Sequence, residues 1–106
     1  METFDFNKIQ KSTFPVILKD KKKTKLTLLN QTKEIASAIV TLNEPKNTGE
    51  EAFACWHQTV ALILSRNQEG VTVEASEVEE LYDLEEMMIF VRKYDEFCAE
   101  ILLGKN

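Results

Sequence analysis

The chain has 106 residues, 43% of them hydrophobic and 29% charged, with a formal net charge of −5. That length makes one small domain, residues 1–106, able to bury roughly two-thirds of its unfolded-chain surface. The composition excludes a disordered chain, and the acidic balance argues against nucleic acid as a partner.

No apolar run reaches the ~18–20 residues that cross a bilayer, and no secretory segment opens the chain, so a cytoplasmic protein with no membrane partner is expected. The two cysteines, Cys55 and Cys98, are then expected to be reduced thiols. Charge is unevenly spread. Residues 1–33 carry eight lysines against Glu2, Asp5 and Asp20, while residues 69–100 carry eleven acids against Arg92 and Lys93. A basic front and an acidic back allow copies to attract head to tail, although two solvated faces explain the same pattern.

Along the chain, Met1–Ser12 is polar with scattered Phe4, Phe6 and Ile9, read as a flap on the core or one helical turn. Residues 13–30 read as a β-hairpin. Phe14, Val16 and Leu18 alternate with Pro15, Ile17 and Lys19, and Leu26 and Leu28 alternate with Lys25, Thr27 and Leu29. Asp20–Lys23 lacks an Asn-Gly or Asp-Gly pair, so a four-residue loop is expected. Pro15 cannot donate to a ladder, which places the first strand at an edge.

Thr32 caps a helix over 33–42 with an apolar stripe of Ile35, Ala38, Ile39 and Leu42. Asn43–Gly49 is a loop containing Pro45 and Asn47. A second helix spans 50–67, with Phe53, Trp56, Val60 and Ile63 as its seam and Gly70 as its stop. Val71–Val73 is an extended linker or a third strand. Ser76 and Glu79 fit a capping box for a short helix over 77–82, and Asp83 and Glu86 fit another. The second box starts a long helix over 84–103, which Gly104 ends; one continuous helix through both stretches is the alternative. Leu84, Met87, Val91, Tyr94, Cys98 and Ile101 share one face of it, and Met88, Phe90, Phe97 and Leu102 widen the apolar surface. A helix this apolar needs packing on more than one side. The expected fold is α+β: an N-terminal β-hairpin on a mainly helical body.

Chemistry is sparse. Cys55 and His57 are two apart on a helix and point about 200° from each other, which excludes a local nucleophile–base pair. Cys55, His57 and Cys98 lack the spacing of a zinc site. The acids from Glu77 to Glu86 lack the pattern of a calcium loop, and no glycine-rich phosphate loop is present. The lysines at 21–23 and 25 read as a charged hairpin tip. No catalytic residue, metal ligand or cofactor is expected.

Three stretches carry a family resemblance. They are Phe4-Asp5-Phe6-Asn7-Lys8-Ile9 running into Phe14–Lys21, Leu26–Leu29 followed by Gln31-Thr32-Lys33, and Val78–Glu86 ahead of a helix rich in Met, Ile, Phe and Tyr. In this the chain resembles the small tail assembly chaperones of siphophages and of Gram-positive prophages. It departs from them at Gln31-Thr32, where the family often has Pro-Thr. The resemblance implies a non-enzymatic role: binding the tape measure protein and helping to recruit tail tube subunits. The charge asymmetry adds a homo-oligomer as a further expectation. The residues expected to face a partner are Trp56, Tyr82, Met87, Met88, Phe90 and Phe97, with Trp56 and Phe90 anchoring a helix between the second and long helices. The same residues also fit a plain core. A second reading is a small acidic regulator or inhibitor docking on a host protein.

Overall fold

The structure is a computed structural model that describes residues 2–44 and 49–104. Two strands, β1 (Phe14–Ile17) and β2 (Lys25–Leu28), precede four helices: α1 (Lys33–Leu42), α2 (Gly49–Ser65), α3 (Ala75–Leu81) and α4 (Leu84–Leu102). The expected α+β architecture is therefore present, a hairpin on a helical body. Pro45 and Asn47 of the expected loop lie outside the described residues.

The strands pair antiparallel in the register Phe14↔Leu28, Pro15↔Thr27, Val16↔Leu26 and Ile17↔Lys25. Thr27 turns both backbone polar groups away from β1. Its N–H donates to Glu69 Oε1 at 2.8 Å, and its carbonyl accepts from the Gln68 N–H at 2.9 Å. Pro15 thus sits opposite a residue that asks nothing of it, and its missing N–H costs no ladder bond. At the tip the Lys23 N–H donates to the Asp20 carbonyl, and the Asp20 carboxylate accepts from the Thr24 backbone and hydroxyl. Lys23 takes the left-handed backbone, φ 50°, that closes the loop.

α1 keeps its expected bounds, with the Thr32 hydroxyl accepting from the Ile35 N–H at 3.3 Å. α2 ends earlier than its periodicity suggests. Residues 66–68 leave the helix to line the outer edge of β2: the Leu29 N–H donates to the Arg66 carbonyl, and Asn67 bridges Leu28. The third strand-like piece is therefore Asn67, and Val71–Val73 is extended chain. Asn67 locks the turn, its side chain donating to the Leu64 and Val71 carbonyls and accepting from the Val71 N–H. Gly70, φ 74°, serves this turn and does not end the helix.

The start of α3 also shifts. The Ser65 hydroxyl accepts from the Val73 N–H at 2.9 Å and donates to its carbonyl, pinning Val73 in the core. The chain must turn immediately afterwards, so the N-cap is Glu74, with the Glu77 carboxylate accepting from its N–H, and not Ser76. The break at Asp83 stands. Asp83 Oδ1 accepts from the Glu86 N–H, and Glu86 Oε1 accepts from the Asp83 N–H, both at 2.8 Å.

The core joins Leu26 and Leu28 of the hairpin, Ile35 and Ile39 of α1, Val60, Ile63 and Leu64 of α2, Val78 of α3, and Met87, Val91, Tyr94 and Cys98 of α4. Each large apolar side chain buried in this way stabilises by roughly 1.5–3 kcal/mol. Phe14 carries the hairpin onto α4, its ring 6.3 Å from Phe90, 6.0 Å from Tyr94 and 5.4 Å from Phe97. Leu84 and Phe53, expected on apolar seams, are exposed at the ends of their helices. The N-terminal segment forms one 3₁₀ turn, Phe6–Lys8, with no buried residue, so it is not a flap on the core.

Candidate functional site

The hairpin does not close fully on the helices. Between β1 and α4 lies an apolar groove of about 410 Å³. Alternation along β1 sends Val16 and Leu18 inward as one wall, and helical phase sends Phe90 of α4 inward as the other. Val60 and Leu64 of α2 and Met87 of α4 form the floor, and exposed Ile17 stands on the rim.

One end of the groove is polar. Lys19 Nζ lies 2.8 Å from Glu86 Oε2, and the Lys19 N–H donates to Tyr82 Oη at 3.0 Å. The Glu86 hydrogen bond raises the Lys19 pKa, and the Lys19 hydrogen bond lowers that of Glu86. Both groups reach solvent, so screening keeps the pair weak. The pair also shows that basic hairpin and acidic helix start meet within one chain.

The six residues expected to face a partner fall into separate settings. Tyr82, Met87 and Phe90 border the groove, but Met87 is only 1% exposed and is a core residue. Phe97 covers Phe14 further along α4. Trp56 and Met88 lie in another depression, with Ile39, Leu42, Val91 and Arg92 around them. Trp56 and Phe90 therefore line separate depressions. Met88 is 51% exposed and continues into a shallow apolar patch with Leu84, Ile89 and the stem of Arg92. Sequence reasoning missed Val16, Leu18 and Lys19 as groove residues. Their alternation was legible, but the gap left between strand and helix was not.

Among the described residues no three His, Cys, Asp or Glu side chains gather to hold a metal. Cys55 is half-buried in the α1–α2 seam beside Ala38 and Leu62, whereas Cys98 is buried under Tyr94. Burial raises the Cys98 pKa, which keeps that thiol neutral. His57 stands beside Phe53, with the rings 6.2 Å apart. No helix among the described residues is long and apolar enough to cross a membrane. Comparison with protein families, with characterised proteins and with solved structures finds no match for this chain.

Proposed function

We propose that this chain is a non-enzymatic assembly chaperone of the phage-tail kind, acting in the host cytoplasm. In this reading it holds an apolar helix of the tape measure protein in the β1–α4 groove and helps to recruit tail tube subunits. The supporting observation is the groove itself, a preformed apolar slot beside an acidic α3–α4 junction. Its walls, Val16 and Leu18 from the hairpin and Phe90 from α4, match in chemistry the apolar stripe of a partner helix. The acids around it keep a complex soluble while the client's apolar stripe is covered.

The test is co-expression with the tape measure protein encoded beside this gene. The chain is expected to bring that protein into the soluble fraction. Ile17→Glu is expected to abolish the rescue and leave the thermal melt unchanged, because Ile17 is 63% exposed. A neighbouring gene that is not a tape measure gene, or a client equally insoluble with and without the chain, would refute the reading. The acids at Glu77, Glu79 and Glu80 favour the second reading, a regulator docked on a basic host protein. Retention of such a protein that depends on those acids and ignores Ile17→Glu would put it first.

A further inference from the structure

We propose that the cleft between the N-terminal segment, the β2–α1 link and the end of α4 is an oxyanion site that takes a small phosphate monoester, gripped by Arg66 and Lys11. The cleft shares no residue with the β1–α4 groove, and the inference is independent of the chaperone reading.

The backbone delivers Arg66 to this place. Residues 66–68 leave α2 for the outer edge of β2, where the Arg66 carbonyl accepts from the Leu29 N–H at 3.0 Å. Its Nε donates to the Asn30 carbonyl at 3.1 Å. Arg66 is thus half-buried and fixed through both backbone and side chain. Yet among the described residues no carboxylate lies within 4.0 Å of its guanidinium. The chain has 18 acids against 13 basic residues, so counter-ions are not scarce. A partly desolvated charge is ordinarily paired, and this one is held in place without its pair.

Arg66 lines a cleft of about 380 Å³, within the roughly 300–1,000 Å³ of small-molecule sites. A second cation, Lys11, lines it from a different segment, and no acidic side chain does. Lys11 also has no ion pair among the described residues. Neutral donors complete the lining. Asn30 Oδ1 accepts from the Gln31 N–H at 2.9 Å, which leaves the Asn30 Nδ2 donor uncommitted, and the Ser12 hydroxyl and the Gln31 side chain stand beside it. Leu29 and Ile101 add an apolar wall.

Charge and geometry narrow the ligand. With Nε committed, the two terminal nitrogens of Arg66 remain as a fork for two oxygens of one anion. Lys11 contributes a compact point charge. A carboxylate carries one charge, which Arg66 alone would balance. Two cations on separate segments match a phosphate monoester, which carries roughly −1.5 to −2 at pH 7 and offers three acceptor oxygens. The net charge of −5 repels a polyanion such as nucleic acid, whereas a small ester meets chiefly the local basic field. Because the arginine is fixed beforehand, little side-chain entropy is lost on binding.

Titration of the full chain with glycerol phosphate, followed by amide and Arg66 Nε–H chemical shifts at constant ionic strength, tests this. Saturable shifts are expected at Gln31 and Arg66, with acetate binding at least about tenfold more weakly. Arg66→Lys keeps the charge and removes the fork, and should weaken binding about tenfold. Lys11→Gln should weaken it about fivefold. Lys11 is exposed, so that variant is expected to melt like the parent and to report on binding even if Arg66→Lys folds poorly. Shifts that rise without saturation and spread over the hairpin lysines, acetate binding as tightly as the ester, or an unchanged affinity in Lys11→Gln would each overturn the proposal.

Discussion

Replacing Tyr94 with Phe removes one oxygen from the centre of the molecule and isolates a single tie. Tyr94 is fully buried, and its hydroxyl donates to the Leu29 carbonyl at 2.7 Å. That bond fastens α4 to the chain just beyond β2, where the Leu29 N–H is already committed to the Arg66 carbonyl. Phe keeps the ring in place but leaves a buried carbonyl without its donor. Stranding a buried acceptor costs about 1–3 kcal/mol, more than the net worth of an average hydrogen bond. At ~4–8 °C per kcal/mol for a domain near this size, the melting temperature should fall by at least about 4 °C. Urea unfolding followed by the fluorescence of Trp56, the one tryptophan, measures the loss directly. A second readout comes from alkaline pH. Burial raises the Tyr94 pKa well above its usual value of 10.0, with the neighbouring Cys98 adding to the rise. A folded pKa above the unfolded one means stability that is complete below about pH 10 and is lost as the pH climbs beyond it, by up to about 1.4 kcal/mol per pH unit. Tyr94→Phe should remove that part of the alkaline slope. A variant within ~0.5 kcal/mol of the parent, with the same alkaline slope, would refute the reasoning.

Four further outcomes are expected. Asp83→Ala should cost about 1 kcal/mol by removing the cap of α4, whereas Ser76→Ala should stay within ~0.5 kcal/mol because Ser76 caps nothing; urea midpoints compare the two. Acid should destabilise the hairpin's attachment. Thr27 hydrogen bonds lower the Glu69 pKa from 4.5, and Thr24 hydrogen bonds lower that of Asp20 from 3.8. Carboxylates with depressed folded pKa values contribute stability above those ordinary values and lose it as pH falls through the folded ones. Glu69→Gln should therefore flatten the acid limb of a stability–pH profile measured below pH 4.5. Pro15→Ala should leave the melt within ~0.5 kcal/mol, since the regained N–H meets no ladder acceptor; a clear gain would show that the register opposite Thr27 is wrong. Tyr82→Phe should loosen the polar end of the groove, read as faster amide exchange at Lys19, whose N–H loses its acceptor.

Much of the fold was legible because it depends on near neighbours. The bounds of α1 followed from Thr32 and its apolar stripe, and the break before α4 followed from Asp83 and Glu86, a capping box that closes within four residues. The errors lie where a distant partner outweighed a local signal. Ser76 is a better intrinsic cap than Glu74, yet Ser65, eight residues before Val73, sets where α3 begins. Helical periodicity carried α2 through Asn67, yet the free edge of β2 drew residues 66–68 away to satisfy its backbone. The candidate site was less legible still. Met87 and Met88 are adjacent and chemically alike, but a step of 100° on the helix puts one in the core at 1% exposure and the other in solvent at 51%.

The sequence by itself determined the order of the elements and most of their inward faces, because propensity, capping and periodicity act over a few residues. It also carried the excess of apolar side chains that one small core cannot absorb. Only the tertiary structure decided which of them remain uncovered. The packing of Phe14 against Phe90, Tyr94 and Phe97 sets how far the hairpin stands off α4. That stand-off opens the groove beside Val16 and Leu18. The same packing commits one face of α4 to the core, leaving Leu84, Met88 and Ile89 exposed on the other.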